Sequence, residues 1–199
     1  IFGMRDFFRA RDVAEVKIAK LRELLGDERA VIAFSGGTDS TVSLELLSRA
    51  VDFQPGRIRG VYIEGIDRAD DERRAREYCA ERPWIELVVI NAREQYLWEL
   101  QGLTDMREKR VAMRGVYQPI LLDQCRDFGA AYIVQGTLYT DISESGGGAQ
   151  SGARKAQIKL HHNVGLDFAE IWEITPLDDQ VKDTVRAMGE ALGVPADTL

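Results

Sequence analysis

The chain has 199 residues, of which 45% are apolar, enough to build the core of one domain of ordinary size. Its 26 Lys and Arg against 33 Asp and Glu give a formal charge of −7, which argues against a protein that coats nucleic acid or anionic membrane. Cys79 and Cys125 are too few for a disulfide framework, and with His161 and His162 placed far from them in the sequence they do not read as a four-ligand zinc site.

The elements alternate along the chain. Residues 12–25 place Val13, Val16, Ile18, Ala19, Leu21 and Leu24 at helical spacing, and Gly26 follows as a C-cap. Residues 30–34 are an unbroken apolar run, the pattern of a strand buried on both faces of a parallel sheet. A helix over 41–50 follows, then a strand over 58–63, a charged and mostly solvated helix over 70–80 and a β-branched strand over 85–90. Helices are expected over 92–101 and 106–128, short strands over 131–134 and 171–174, and a last helix over 181–192 closed by Gly193 and Pro195. Trp84, Trp98 and Trp172 are expected in the core or at an interface.

No run approaches the roughly 20 apolar residues of a membrane span. Ile1-Phe2-Gly3-Met4-Arg5 has no secretory pattern, and Met4 is read as the natural start. The expectation is a single reducing, cytoplasmic domain over 1–199, with no nucleic-acid and no membrane partner. Strand–helix alternation of this kind marks an α/β fold: a doubly wound open parallel sheet of about five strands, with helices on both faces. Such sheets take ligands in the crevice beyond the strand C-termini. One stretch rich in Gly and Ser, with Gly146, Gly147 and Gly148, interrupts the alternation, and a flexible lid is expected over about 143–165.

Between the first strand and its helix lies Ser35-Gly36-Gly37-Thr38-Asp39-Ser40. Paired glycines let backbone approach a ligand closely, and amides of a turn entering a helix converge on an anion such as phosphate. Ser35, Thr38 and Ser40 can add hydroxyl donors. A carboxylate at Asp39 would repel phosphate unless a cation lay between them, which implies Mg²⁺. The bland alternative is a tight turn with Thr38 or Asp39 as N-cap.

This hexapeptide resembles the pyrophosphate loop, Ser-Gly-Gly-x-Asp-Ser, of the ATP pyrophosphatase (PP-loop) superfamily. Farther on stand Gln135-Gly136-Thr137-Leu138-Tyr139-Thr140-Asp141, Glu144-Ser145 and Ile158-Lys159-Leu160-His161-His162-Asn163-Val164-Gly165. Together with Gly102 to Asp105, Glu108-Lys109-Arg110, Pro176-Leu177 and Lys182-Asp183 they are similar to the ATP-pyrophosphatase part of GMP synthases. The resemblance implies ATP and Mg²⁺ as cofactors and xanthosine monophosphate as acceptor, adenylated and then aminated to GMP. It implies pyrophosphate held by Ser35, Gly36, Gly37, Thr38, Ser40, Gly136 and Thr137, Mg²⁺ on Asp39 and Asp141, and Lys159 acting from the lid. Arg68, Lys109, Arg110, His161, His162 and Asn163 are candidates for contacting the acceptor or its phosphate, and a solvated helix face is the other reading of Lys109 and Arg110. A separate glutaminase subunit and a homodimer stay open.

Departures from the family pattern concentrate on the acceptor half. The block after the second strand, with Glu64 and Gly65, is short. Gly165 is followed by Leu166-Asp167-Phe168, and Asp178 stands where the family has Arg. The family's glutaminase and dimerisation domains have no counterpart in these residues. A stand-alone PP-loop ligase or sulfur-transfer enzyme for another acceptor is the alternative, with Cys79 or Cys125 as nucleophile, and a non-catalytic ATP-binding module is a third reading. The cysteines also read as small buried apolar residues.

Overall fold

The computed structural model describes residues 2–65, 70–136, 156–157 and 171–199. In chain order they form α1 (Phe2–Leu25), β1 (Ala30–Ala33), α2 (Thr38–Ala50), β2 (Ile58–Glu64), α3 (Asp71–Ala80), β3 (Ile85–Asn91) and α4 (Arg93–Leu100). There follow α5 (Met106–Phe128), β4 (Tyr132–Val134), β5 (Ala156–Gln157), β6 (Trp172–Ile174) and α6 (Lys182–Leu192).

The strand order is β3-β2-β1-β4-β6-β5. The first five strands are parallel, as expected. The sixth is a correction: β5 lies in the segment read as a lid, and pairs antiparallel with β6, Ala156 opposite Glu173 and Gln157 opposite Trp172. A two-residue edge strand carries no periodicity of its own, so the sequence pattern could not announce it.

Alternation along the strands feeds two cores. Ala30, Ile32, Phe34, Ile58, Tyr62, Tyr132, Val134 and Ile174 pack on one face against α1, α2, α3 and α6, with Leu21, Leu44, Leu47 and Met188 among their partners. Val31, Val61, Ile133 and Ile171 face Leu121, Leu122, Cys125 and Phe128 of α5 on the other. A smaller cluster of Ala92, Tyr96 and Val116 joins α4 to α5. Both faces are covered, which explains why these strands read as continuous apolar runs.

Three expectations change in detail. Helix α1 starts near the chain's beginning, because its buried stripe continues back through Ala14 and Ala10, small residues that signal weakly. Helix α2 starts at Thr38, inside the glycine motif. Trp98 is 77% exposed and therefore not core, whereas Trp84 and Trp172 pack against the first cluster. Among the described residues, no helix is long and apolar enough to cross a membrane.

The strand order reverses beside β1, where β2 lies on one side and β4 on the other. That switch point opens a crevice above the strand C-termini, into which the loop after β1 and the end of β4 both lead.

Candidate active site

The turn after β1 is built by its own hydroxyls. The Ser35 amide donates to Ser40 Oγ at 3.3 Å, the two hydroxyls lie 3.1 Å apart, and Ser40 Oγ donates to Gly37 O at 3.0 Å. Gly36 has φ +73°, in the region that favours glycine. A side chain there would also meet Asp71 O at 3.2 Å and Ala75 N at 3.3 Å, so the loop backbone sits directly against the first turn of α3.

Gly37 is the N-cap of α2 and no side chain caps that end. The reading of Thr38 or Asp39 as cap is thereby corrected, since both are already helical. The Thr41 amide reaches Gly37 O at 3.0 Å, while the amides of Thr38, Asp39 and Ser40 precede the first intrahelical bond and are the helix's natural anion donors. Thr38 Oγ1 donates instead to Thr198 O at 2.7 Å, which ties its hydroxyl to the turn beyond α6.

Gly136, just past β4, touches this loop. A Cβ on it would lie 3.0 Å from the carbonyl carbon and oxygen of Asp39 and from the Ser40 amide nitrogen. The two glycine motifs, about a hundred residues apart in sequence, are thus in direct backbone contact. Beside it, Gln135 Nε2 donates to Glu173 Oε1 at 2.6 Å. Burial pushes the Glu173 carboxyl above its ordinary range, while Arg114 pulls it back in part.

These elements enclose a cleft of about 720 Å³. Ser35, Gly37, Thr38, Asp39, Ser40 and Gly136 line it, and Gly36 is not among the lining residues. So do Lys182 at the start of α6 and five residues that the motifs did not single out: Tyr96, Tyr117 and Leu121 from α4 and α5, and Asp71 and Arg74 from α3. The Tyr96 ring occupies the space a side chain on Gly65 would take. Arg74 donates to Asp71, and Lys182 Nζ lies 4.0 Å from Asp39 Oδ2. Only Lys182 had a signal in the sequence, in the Lys182-Asp183 block.

Lys109 and Arg110 lie in the first turns of α5 and are not among the cleft-lining residues. Arg68, Thr137, Asp141, Lys159, His161, His162 and Asn163 lie outside the described residues. Among those described, no three His, Cys, Asp or Glu come together to hold a metal ion. Magnesium needs only one or two carboxylates when phosphate oxygens and water complete its shell, so Asp39, in the first turn of α2 and lining the cleft, fits it. Both cysteines are buried away from the cleft, and burial pushes the Cys79 thiol up to about 11 and the Cys125 thiol up to about 12.

No protein-family model matches the chain. Among curated proteins it is 31% identical over 203 residues to the glutamine-hydrolysing GMP synthase of Petrotoga mobilis, covering 100% of the chain and 39% of that protein. It is 36% identical over 202 residues to that of Cupriavidus necator, covering 99% of the chain and 36% of the relative. It is a homologue of one segment of GMP synthase. The GMP synthase of Thermotoga maritima gives the same picture, at 34% identity over 187 residues and 36% of its length, so the chain spans well under half of these relatives.

Solved structures agree on the fold. The NH3-dependent NAD synthetase of Campylobacter jejuni superposes with a TM-score of 0.68 at 15% identity, covering 95% of the chain and 76% of that structure. NMN synthetase of Francisella tularensis superposes with a TM-score of 0.64 at 20% identity, covering 93% and 73%. The chain has the fold of these two synthetases.

Proposed function

We propose that this GMP synthase homologue binds ATP with Mg²⁺ in the cleft above β1 and β4, adenylates xanthosine monophosphate and lets ammonia displace AMP to give GMP. The observation that carries this reading is the backbone contact between the Ser35–Ser40 loop and Gly136, which joins both ATP-site motifs at one cleft. Homology to GMP synthases over the whole chain supports the acceptor. The C2 oxygen of the acceptor attacks the α-phosphorus, the bond to the β-phosphate breaks and pyrophosphate leaves; ammonia then adds at C2 and AMP departs.

The chain's own part is positioning and charge. The first-turn amides of α2 receive the β- and γ-phosphates, with the hydroxyls of Ser35 and Ser40 available once they exchange partners. Asp39 would hold the magnesium, with Asp141 as a second ligand and Lys159 closing from the segment beyond β4. The bound ion would supply charge neutralisation on the phosphates. Tyr96, Tyr117 and Leu121 offer an apolar wall that keeps water from the adenylated intermediate.

The deep burial of Cys79 and Cys125 favours amination over sulfur transfer, because a thiol titrating near 11 or 12 supplies almost no thiolate at neutral pH. A cytoplasmic setting and a glutaminase partner accompany the reading, the latter because the relatives are glutamine-hydrolysing. The test is pyrophosphate release from ATP and ammonium, with and without xanthosine monophosphate. Release that depends on the acceptor is expected, and Asp39→Ala abolishes it. Release indifferent to xanthosine monophosphate refutes the acceptor, and full release by Asp39→Ala refutes the metal role.

A further inference from the structure

One carboxylate stands in an apolar layer. On the α5 face of the sheet, Val31, Val61, Ile133 and Ile171 pack against Leu121, Leu122, Cys125 and Phe128. Strand β6 pairs with β4 so that Glu173 lies opposite Ile133. Alternation puts Glu173 on that same face, since its neighbours Trp172 and Ile174 pack on the other. Burial raises its carboxyl above the ordinary range, and Arg114 of α5 opposes the shift. A leucine or valine there would extend the core without that penalty, so the carboxylate needs a reason.

Gln135 supplies it. Its backbone amide donates to Ile174 O at 3.0 Å, which fixes the end of β4 against β6. Its side-chain Nε2 donates to Glu173 Oε1 at 2.6 Å. An ionised carboxylate only accepts hydrogen bonds, so this pairing dictates which end of the Gln135 amide meets it. The NH₂ group is engaged, and the carbonyl oxygen on the other branch of the amide has no hydrogen bond among the described residues. Gln135 lines the cleft and is followed by the Gly136 that touches the Asp39 and Ser40 backbone. Glu173 thus turns a side chain that could donate or accept into one that accepts, beside the phosphate loop.

We infer that Glu173 is a positioning residue that holds the Gln135 carbonyl oxygen toward the cleft, where it accepts a hydrogen bond from an N–H or hydroxyl of a bound nucleoside. The inference rests on the ATP-pyrophosphatase reading above and extends it to the nucleoside end of the ligand. A carbonyl oxygen repels phosphate oxygens, whereas a base N–H or a ribose hydroxyl pairs with it. Tyr117 and Leu121, from the α5 layer that Glu173 faces, line the same cleft and suit an apolar ring. AMP and xanthosine monophosphate both carry such donors, and the test separates them.

Titration calorimetry of the full chain with AMP, with xanthosine monophosphate and with magnesium pyrophosphate tests this. Glu173→Gln keeps the size of the side chain but can donate as well as accept, so it no longer dictates how Gln135 is turned. It is expected to weaken at least one of the two nucleotides about three- to tenfold, the size of one hydrogen bond, and the nucleotide affected carries the donor. Magnesium pyrophosphate affinity should not change. Gln135→Ala should weaken the same nucleotide, and the double variant should lose no more than Gln135→Ala alone, because Glu173 acts through Gln135. Wild-type protein that binds none of the three probes overturns the ATP-pyrophosphatase reading and the inference with it. Wild-type protein that binds pyrophosphate but neither nucleotide overturns the inference alone, as does unchanged binding of both nucleotides by Glu173→Gln. A loss shared with pyrophosphate, or losses that add in the double variant, mark a structural role and also overturn it.

Discussion

In the turn before α6, two adjacent carboxylates respond to partial burial in opposite ways. Burial pushes Asp178 upward, the neighbouring Asp179 adds to the shift, and a bond from Thr175 Oγ1 at 3.2 Å offsets it only in part. Its Oδ1 is buried with no hydrogen-bond partner among the described residues. Burial acts on Asp179 too, but hydrogen bonds from Lys17 and Gln180 outweigh it and hold that carboxyl below its ordinary value. The native state therefore keeps a proton on Asp178 at a pH where the unfolded chain has lost it, and this contribution to stability fades as pH rises from the ordinary aspartate value of about 3.9 through the raised native value. Asp179 behaves in reverse, its contribution lost as pH falls through its lowered native value. Asp178→Asn mimics the protonated form and can still accept from Thr175, so it should stabilise the protein at pH 7 and flatten the decline above pH 4. Urea unfolding across pH 4 to 8 measures both. A variant less stable than wild type at pH 7 would show that the ionised carboxylate is satisfied.

At the scale of elements, the contact between β4 and α2 decides whether the site exists. Gly136 faces backbone on the Asp39 side, which cannot swing aside as a flexible side chain can, so Gly136→Ala forces the strand end and the helix apart. An overpacking cost of about 1–3 kcal/mol is expected, read as a lower urea midpoint, with pyrophosphate release falling further than stability does. Unaltered release would show that the contact is incidental. Most elements were legible in the sequence because each buries a run or stripe of large apolar residues: Ala30–Ala33 and Ile85–Asn91 as strands, Lys182–Leu192 as a helix ending at Gly193 with φ +80°. The start of α2 was not, since Thr38, Asp39 and Ser40 read as loop residues and only the tertiary fit of Gly36 against α3 and Gly136 against Asp39 makes that turn helical. Likewise Arg74, Tyr96 and Tyr117 carry no local signal. They share a cleft because strands β1, β2 and β4 end side by side, a property of topology that no window of sequence contains.

For the whole molecule, the sheet is common to both cores: Ile32 and Val134 feed one face, Val31 and Ile133 the other, on the same two strands. Neither layer can be exposed without unfolding strands that the other layer needs, and the crevice above β1 and β4 rests on both. A ligand gripped there should therefore stabilise the described fold as a unit, and the melting temperature should report occupancy of the cleft. Magnesium pyrophosphate at 100 times its dissociation constant contributes about 2.7 kcal/mol. At roughly 2–4 °C per kcal/mol for a chain of this size, the melting temperature should rise by about 5–11 °C in a single shifted transition. Pyrophosphate without magnesium should give a smaller rise, because Asp39 then opposes the anion. In Asp39→Asn the difference between the two conditions should shrink, since the repulsion and the metal ligand are removed together. Equal shifts with and without magnesium in the wild-type chain would show that Asp39 does not hold the metal, and the absence of any shift would show that the cleft is not a pyrophosphate site.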